Sequence, residues 1–138
     1  MEYEAIVRSE ILSFNDLPRV AKDAYRAARR RASKRQTEMM SKAEFVQLWE
    51  RSNGKCEISG LRFSDEQEVY KSITGYARLT SRPWEPSVDQ IDPGIGYSLE
   101  NSQLVCKCVN IGKSGYSVET FETWVIAAAR MIELKRGV

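Results

Sequence analysis

None of the 138 residues of this chain is a histidine. Histidine is the side chain whose unperturbed pKa lies closest to neutral pH. Acid–base chemistry in this chain therefore has to use a carboxylate, a lysine, a cysteine with a shifted pKa or a metal-bound water. Long hydrophobic runs are missing too, since no apolar stretch approaches the roughly 18–20 residues that a membrane helix needs. The first residues, Met1-Glu-Tyr-Glu-Ala, lack the basic-then-apolar plan of a signal peptide, so we expect a cytoplasmic protein.

Cysteine is also scarce, with three residues in the whole chain. An odd number of cysteines without an export signal argues against a disulfide framework, so reduced thiols are expected. The remaining composition, 42% hydrophobic and 29% charged, is that of an ordinary globular protein with one modest core.

Positive charge is concentrated in one segment, although the net charge is only +2. Residues 19–35 contain eight basic side chains and a single acid, Asp23. Such a block indicates a surface that binds a polyanion; the alternative is the solvated face of an ordinary helix.

The pattern of residues predicts an α+β domain. Asn15 and Asp16 resemble a helix start, and the alanine-rich basic helix is expected to run to about Gln36. A capping box at Ser41-Lys-Ala-Glu44 predicts a second helix over about 42–52. A short hairpin is expected over 55–63, turning at Ser59-Gly60, and residues 64–86 are expected to form a long loop with some local structure.

The second half of the chain predicts a strand over Ser87–Asp92 and an antiparallel partner over Ser102–Cys106, followed by a helix through Asn110. Ser117 is expected to cap a final amphipathic helix. We expect its apolar stripe to lie in the core; the stripe consists of Phe121, Trp124, Val125, Ala128, Met131 and Ile132.

Asp89 and Asn110 have the chemistry and the separation of two ligands for one divalent cation, which would leave positions open for water and a phosphate. In the competing interpretation, the chain is a generic α+β domain in which Asn101 and Asn110 merely satisfy turns and helix ends.

The segment Ser87 to Lys113 resembles the HNH nuclease family, whose hairpin-plus-helix core is called the ββα-metal fold. Arg82-Pro-Trp-Glu-Pro-Ser-Val-Asp89 and Gly96-Tyr97 are most similar to a phage and prophage branch, which implies the cytoplasm of a host cell. The resemblance covers roughly residues 44–115. Residues 1–40 lie outside the resemblance and are expected to form an N-terminal segment with the basic helix. The HNH-like domain is expected over 41–138, with its core over 55–115 and its C-terminal helix over 117–136.

The resemblance implies a role for each matching residue. Asp89 and Asn110 match the metal ligands, and Asn101 matches the asparagine that braces the hairpin loop. Gln90 stands where the family has its general-base histidine, and Lys113 matches a trailing lysine. The implied cofactor is one divalent ion, Mg²⁺ or Mn²⁺.

Two departures from the family pattern affect these expectations. The positions of a structural zinc site read Cys56, Ser59, Cys106 and Val109, so no structural zinc is expected and Cys56 and Cys106 are predicted to be small buried residues. Glutamine at position 90 cannot act as a base, although it could orient a water. Three explanations stay open. Asp92, another carboxylate or a metal-bound hydroxide takes the place of the general base; position 90 carries an engineered substitution; or the protein has lost catalysis and kept binding.

The resemblance therefore implies a metal-dependent DNA endonuclease with atypical or weak catalysis; the alternative is a catalytically inactive nucleic-acid-binding or regulatory protein. DNA is the expected partner, bound through its backbone with little sequence specificity. The expected contacts are Arg26, Arg29, Arg30, Arg31, Lys34, Arg35 and Lys113. A third possibility is a protein-interaction module that uses exposed tryptophans; Trp49 and Trp124 are expected in the core, which leaves Trp84 as the exposed anchor.

Overall fold

A computed structural model describes residues 12–71 and 78–137. In these ranges the chain forms four α-helices and two antiparallel strand pairs, so the α+β prediction is confirmed. In chain order the elements are α1 (Arg19–Arg35), α2 (Lys42–Ser52), β1 (Glu68–Lys71), β2 (Arg78–Ser81), β3 (Pro86–Gln90), β4 (Ser102–Cys106), α3 (Lys107–Lys113) and α4 (Val118–Arg136).

Helix α1 begins later than predicted. Residues Phe14–Asp16 form a separate 3₁₀ turn, in which the Asp16 carboxylate accepts from the Ser13 N–H at 3.2 Å and from the Ser13 hydroxyl at 2.8 Å. Leu17 then adopts an extended conformation (φ −68°, ψ 151°), as residues before a proline tend to do, and α1 starts after Pro18. The predicted end is confirmed, because Gln36 closes the helix in the left-handed conformation.

Helix α2 follows its sequence signals closely. The Ser41 hydroxyl accepts from the Glu44 backbone N–H at 3.1 Å, and the Glu44 carboxylate accepts from the Ser41 N–H at 3.0 Å. Asn53 ends the helix with a φ of 53°. The predicted capping box is therefore confirmed.

The local structure expected within the loop over 64–86 is a strand pair, which the prediction did not specify. Strands β1 and β2 pair antiparallel, with Glu68 opposite Ser81 and Lys71 opposite Arg78. Each strand is only four residues long, too short for alternation to stand out from a loop. Before them, residues 55–63 form the predicted small hairpin as a single bridge between Lys55 and Arg62, with Gly60 at a φ of 75°.

Strands β3 and β4 form the hairpin that positions the candidate site. Pro86 lies opposite Cys106, Asp89 opposite Gln103 and Gln90 opposite Ser102. Strand β3 ends at Gln90 instead of Asp92, because the chain turns into the Pro93-Gly94 loop. Helix α3 follows β4 directly and runs to Lys113, three residues past the predicted Asn110.

One core joins the first helix to the hairpin. The alanines on the inner face of α1 are fully buried and allow α1 to approach β3 closely. They share the core with Trp49 and Phe63, whose rings stack at 6.0 Å, and with Leu104 of β4. The two predicted segments, 1–40 and 41–138, therefore have a common core within the described ranges.

Helix α4 forms where predicted, with the Ser117 hydroxyl accepting from the Thr120 N–H at 3.1 Å, but its apolar stripe is not part of the core. Only Phe121 of that stripe is buried in the described structure, and Trp124 is 56% exposed. The core is already filled by α1, α2 and the hairpin, and α4 packs mainly on the short helix α3. Trp49 is buried as expected, and Trp84 is 36% exposed.

In the part of the chain that is described, no helix has both the length and the apolar character to cross a membrane.

Candidate functional site

The side chain of Asn101 braces the loop between β3 and β4. Its amide nitrogen donates to the carbonyls of Asp92 at 3.1 Å and Gly96 at 2.8 Å, and its amide oxygen accepts from the Asp92 N–H at 2.9 Å. The structure thus places Asn101 where the sequence predicts a brace of the hairpin loop.

The same loop is attached to the segment between α1 and α2. The Tyr97 N–H donates to the Glu38 carbonyl at 2.9 Å, and the Met40 N–H donates to the Tyr97 carbonyl at 2.8 Å. Gly96 permits this approach, because a Cβ there would lie 3.1 Å from the Glu38 nitrogen and its φ is 113°. The loop is therefore held from both sides.

Asp89 is buried at the floor of the site, with 3% of its surface exposed. One carboxylate oxygen accepts from the ammonium of Lys113 at 3.3 Å, and the other accepts from the Gln103 side-chain amide at 2.8 Å. Burial raises the pKa of Asp89, while the bonds to Gln103 and Lys113 and the charge of Arg31 act in the opposite direction.

Lys113 is completely buried, although the sequence predicted it among the nucleic-acid contacts. Its ammonium also donates to the Gln90 carbonyl at 2.9 Å. A lysine can be buried in this way only when its charge is paired and its protons are bonded. The side chain is therefore part of the floor of the site and does not reach solvent, which corrects the predicted role.

The Gln90 side chain supports the loop. Its amide oxygen accepts from the Gly94 N–H at 2.9 Å, across the turn that follows β3. Asp92, the predicted substitute base, lies beyond the strand with an exposed side chain, while its backbone is held by Asn101. The strand geometry that would place Asp92 on the same face as Gln90 does not exist, because β3 has already ended.

Asn110 faces β3 from helix α3. Its amide nitrogen donates to the Ser87 hydroxyl at 2.7 Å and to the Val88 carbonyl at 3.4 Å. The Val88 carbonyl also accepts from the Arg31 guanidinium at 3.2 Å. Asn110 therefore links α3 to the hairpin at the point where α1 also contacts it.

The arrangement of these side chains does not fit a divalent cation. Such an ion needs several oxygen ligands with free lone pairs. Here an ammonium already lies against the Asp89 carboxylate, and Asn110 presents its amide nitrogen to β3. In the described ranges no three acidic, cysteine or histidine side chains lie together as a metal-binding group.

A cleft of about 420 Å³ lies above this floor. Arg31 forms one wall, where its guanidinium donates to the Tyr97 hydroxyl at 2.9 Å and lies over the Tyr97 ring. Asp89, Gln90 and Asn110 line the same cleft, so the structure brings these three predicted residues together. Arg35 also lines the cleft, which therefore has two arginines and one paired carboxylate.

A second cleft, of about 470 Å³, runs along α1 on the other side of Arg31. Its basic residues are Arg26, Arg30, Arg31, Arg82 and Lys107. Two acidic residues lie there as well: Glu85 forms an ion pair with Lys107 at 3.2 Å, and Asp23 forms one with Arg26 at 3.3 Å. Arg31 lines both clefts, whereas Arg29 and Lys34 line neither.

Several of these residues lie outside the sequence-based prediction. Gln103 holds Asp89 because the two residues are directly opposite in the β3–β4 register, and a strand pairing written out from the sequence would have shown this. Tyr97 lines the first cleft and Lys107 lines the second because of tertiary contacts, which no local sequence pattern indicates.

Both cysteines that stand at zinc-ligand positions of the family pattern lie in the core. Cys56 and Cys106 are both buried and free, and the Ser59 N–H donates to the Cys56 sulfur at 3.4 Å. Their predicted character as small buried residues is confirmed.

In comparisons with known proteins, no family model, no curated protein and no solved structure matches this chain.

Proposed function

We propose that this chain is a nucleic-acid-binding protein on an HNH-like ββα scaffold, in which the cleft above Asp89 takes a backbone phosphate without a metal ion. The observation that carries the proposal is the pairing of Asp89 with Lys113 at 3.3 Å. Since an internal ammonium balances the carboxylate, the two arginines that line the cleft leave an excess of positive charge there.

Anion binding follows from this balance of charge. A phosphate in the cleft would meet Arg31 and Arg35, and Arg31 is held in place by its bonds to Tyr97 and the Val88 carbonyl. A guanidinium that is already oriented loses little freedom when it binds a phosphate, and its fork of N–H groups matches the phosphate oxygens. The cleft is therefore preorganised for an anion.

The second cleft gives this binding an extended path. Arg26 and Arg30 continue from Arg31 along α1, one helical turn apart, and all three line that cleft. A nucleic acid has regularly spaced phosphates, so a row of arginines between two adjoining clefts suits a strand better than it suits a small anion. Contacts of this kind give affinity with little sequence specificity, and no described element presents a pattern for reading bases.

The test uses two sets of substitutions with the same change in charge on the same helix. The first replaces the cleft-lining Arg26, Arg30 and Arg35 with glutamine. The control replaces Arg19, Arg29 and Lys34, which line neither cleft. Binding of a fluorescent DNA duplex and of a single strand is measured by anisotropy across a salt series in EDTA.

We expect the wild type to bind in EDTA, because the proposed site needs no metal. The cleft substitutions should weaken binding more than about tenfold and lower the slope of log K against log salt by about 2–3, one unit for each lost phosphate contact. The control set should change both quantities much less. Equal losses in the two sets, or no binding in EDTA, would contradict the proposal.

A metal-dependent endonuclease is the second candidate. It is favoured by one observation, that Asp89, Gln90 and Asn110 line a single cleft. Supercoiled plasmid is incubated with the protein and Mg²⁺, Mn²⁺, Ni²⁺ or Zn²⁺. Nicking that disappears in Asp89→Ala would establish this candidate, whereas binding without nicking in every metal would exclude it.

A further inference from the structure

The face of α4 that was expected in the core leaves several large apolar side chains exposed. Its first turn packs on α3, where the rings of Phe121 and Trp124 lie beside Gly112. The stripe then continues past α3 through Val125, Met131 and Ile132, which are between 37% and 51% exposed. Exposed apolar surface of this extent on a helix normally marks an interface.

We propose that a second copy of this chain covers this face, with the two α4 helices packed antiparallel about a two-fold axis near Ala128. The small side chain of Ala128 lies at the middle of the stripe and allows two helix backbones to approach closely. Pairing about Ala128 sets Trp124 opposite Ile132 of the second copy, and Val125 opposite Met131. Each copy thus uses the same patch, as a two-fold interface requires.

The charges along α4 select the antiparallel direction. Glu119 and Glu122 give the first turns of α4 a charge of −2, whereas Arg130, Lys135 and Arg136 outweigh the single acid Glu133 in its second half. An antiparallel pair brings the acidic end of one helix to the basic end of the other, whereas a parallel pair would bring like charges together. The opposed helix dipoles add to the same preference.

The neighbourhood of α4 continues the patch. Ile111 on α3 is 66% exposed and Tyr116, in the turn between the helices, is 63% exposed. The end of a second α4, which carries the exposed Leu134, would extend toward these residues. A pair of helices of this length buries less than the roughly 800 Å² per partner of a standard interface, so we expect a weak dimer that dissociates on dilution.

Analytical ultracentrifugation of the full chain without nucleic acid tests the proposal. At about 100 µM the wild type should sediment with twice the 15.8 kDa mass of one chain, and it should dissociate on dilution to about 1 µM. Ile132→Glu should abolish the dimer. Ile126→Glu is the matched control, because Ile126 is equally exposed (51% against 49%) but lies nearly opposite Ala128 around the helix.

The orientation is tested by charge reversal. Glu122→Lys should weaken the dimer at least tenfold, and adding Arg136→Glu should restore it if the helices are antiparallel. Circular dichroism and thermal unfolding check that each variant is folded, which is expected because all these positions are exposed. Three results would overturn the proposal. The wild type could stay monomeric at about 100 µM, or Ile126→Glu and Ile132→Glu could have equal effects. The third is a monomer that sediments with lipid vesicles.

Discussion

Replacing Lys113 with methionine removes the ammonium from a buried ion pair and keeps a side chain of similar length. Asp89 would then keep its bond to Gln103 but would lose the charge that balances it. Removing one partner of a buried pair typically costs about 3–5 kcal/mol. The ionised carboxylate has one way to avoid this penalty, which is to take up a proton.

Proton uptake sets an upper limit to the loss and gives it a pH dependence. Protonating a carboxyl with an ordinary pKa of about 3.9 costs about 4 kcal/mol at pH 7 and about 1.5 kcal/mol at pH 5. The free energy of unfolding of Lys113→Met should therefore fall by about 3–4 kcal/mol at pH 7 and by about 1.5 kcal/mol at pH 5. Substituting Asp89→Asn in addition should recover most of the loss at pH 7, because no buried charge remains.

Urea unfolding followed by tryptophan fluorescence measures these differences, with the buried Trp49 as a reporter of the core. A loss below about 1 kcal/mol at pH 7 would mean that Lys113 does not balance a buried charge. The same loss at both pH values would contradict the mechanism even if the total were right, since the penalty would then not arise from an ionised carboxylate.

Three further predictions concern the floor of the site and its loop. Because burial raises the pKa of Asp89, its carboxyl stabilises the fold most at pH values below its ordinary pKa. The free energy of unfolding of the wild type, measured relative to Asp89→Asn by urea titration, should therefore fall as the pH rises above about 4. A difference that stays constant across this range would mean that the pKa is not shifted. Millimolar Mg²⁺ or Mn²⁺ should leave the thermal unfolding temperature unchanged, because Lys113 already balances Asp89; a rise of several degrees would favour the endonuclease instead. Gly96→Ala should destabilise the protein by about 1–3 kcal/mol in chemical unfolding, because its Cβ would press on the Glu38 backbone.

The sequence predicted the elements whose signals are local. The capping box at Ser41 and the glycines and prolines around the β3–β4 loop depend on neighbouring residues alone, and α2 and the hairpin lie close to their predicted bounds. Strands β1 and β2 were missed because four residues carry too little alternation to be distinguished from a loop.

The error on α4 has a different origin. An amphipathic stripe shows that a helix has an apolar face, but it does not show whether the chain's own core has room for that face. Here α1, α2 and the hairpin fill the core, and α4 packs mainly on the short helix α3. Similarly, spacing predicted that Asp89 and Asn110 lie near each other, but it could not show that Lys113 folds inward between α3 and β3.

The bonds of Asn101 have a consequence for how this protein ages. An asparagine is chemically labile, and Asn101 precedes the small residue Ser102. Hydrolysis of its side-chain amide, which adds water and releases ammonia, would set a carboxylate against the carbonyl oxygens of Asp92 and Gly96, where the amide now donates. Such a change at Asn101, which makes the chain about one mass unit heavier, would therefore detach the hairpin loop from its brace.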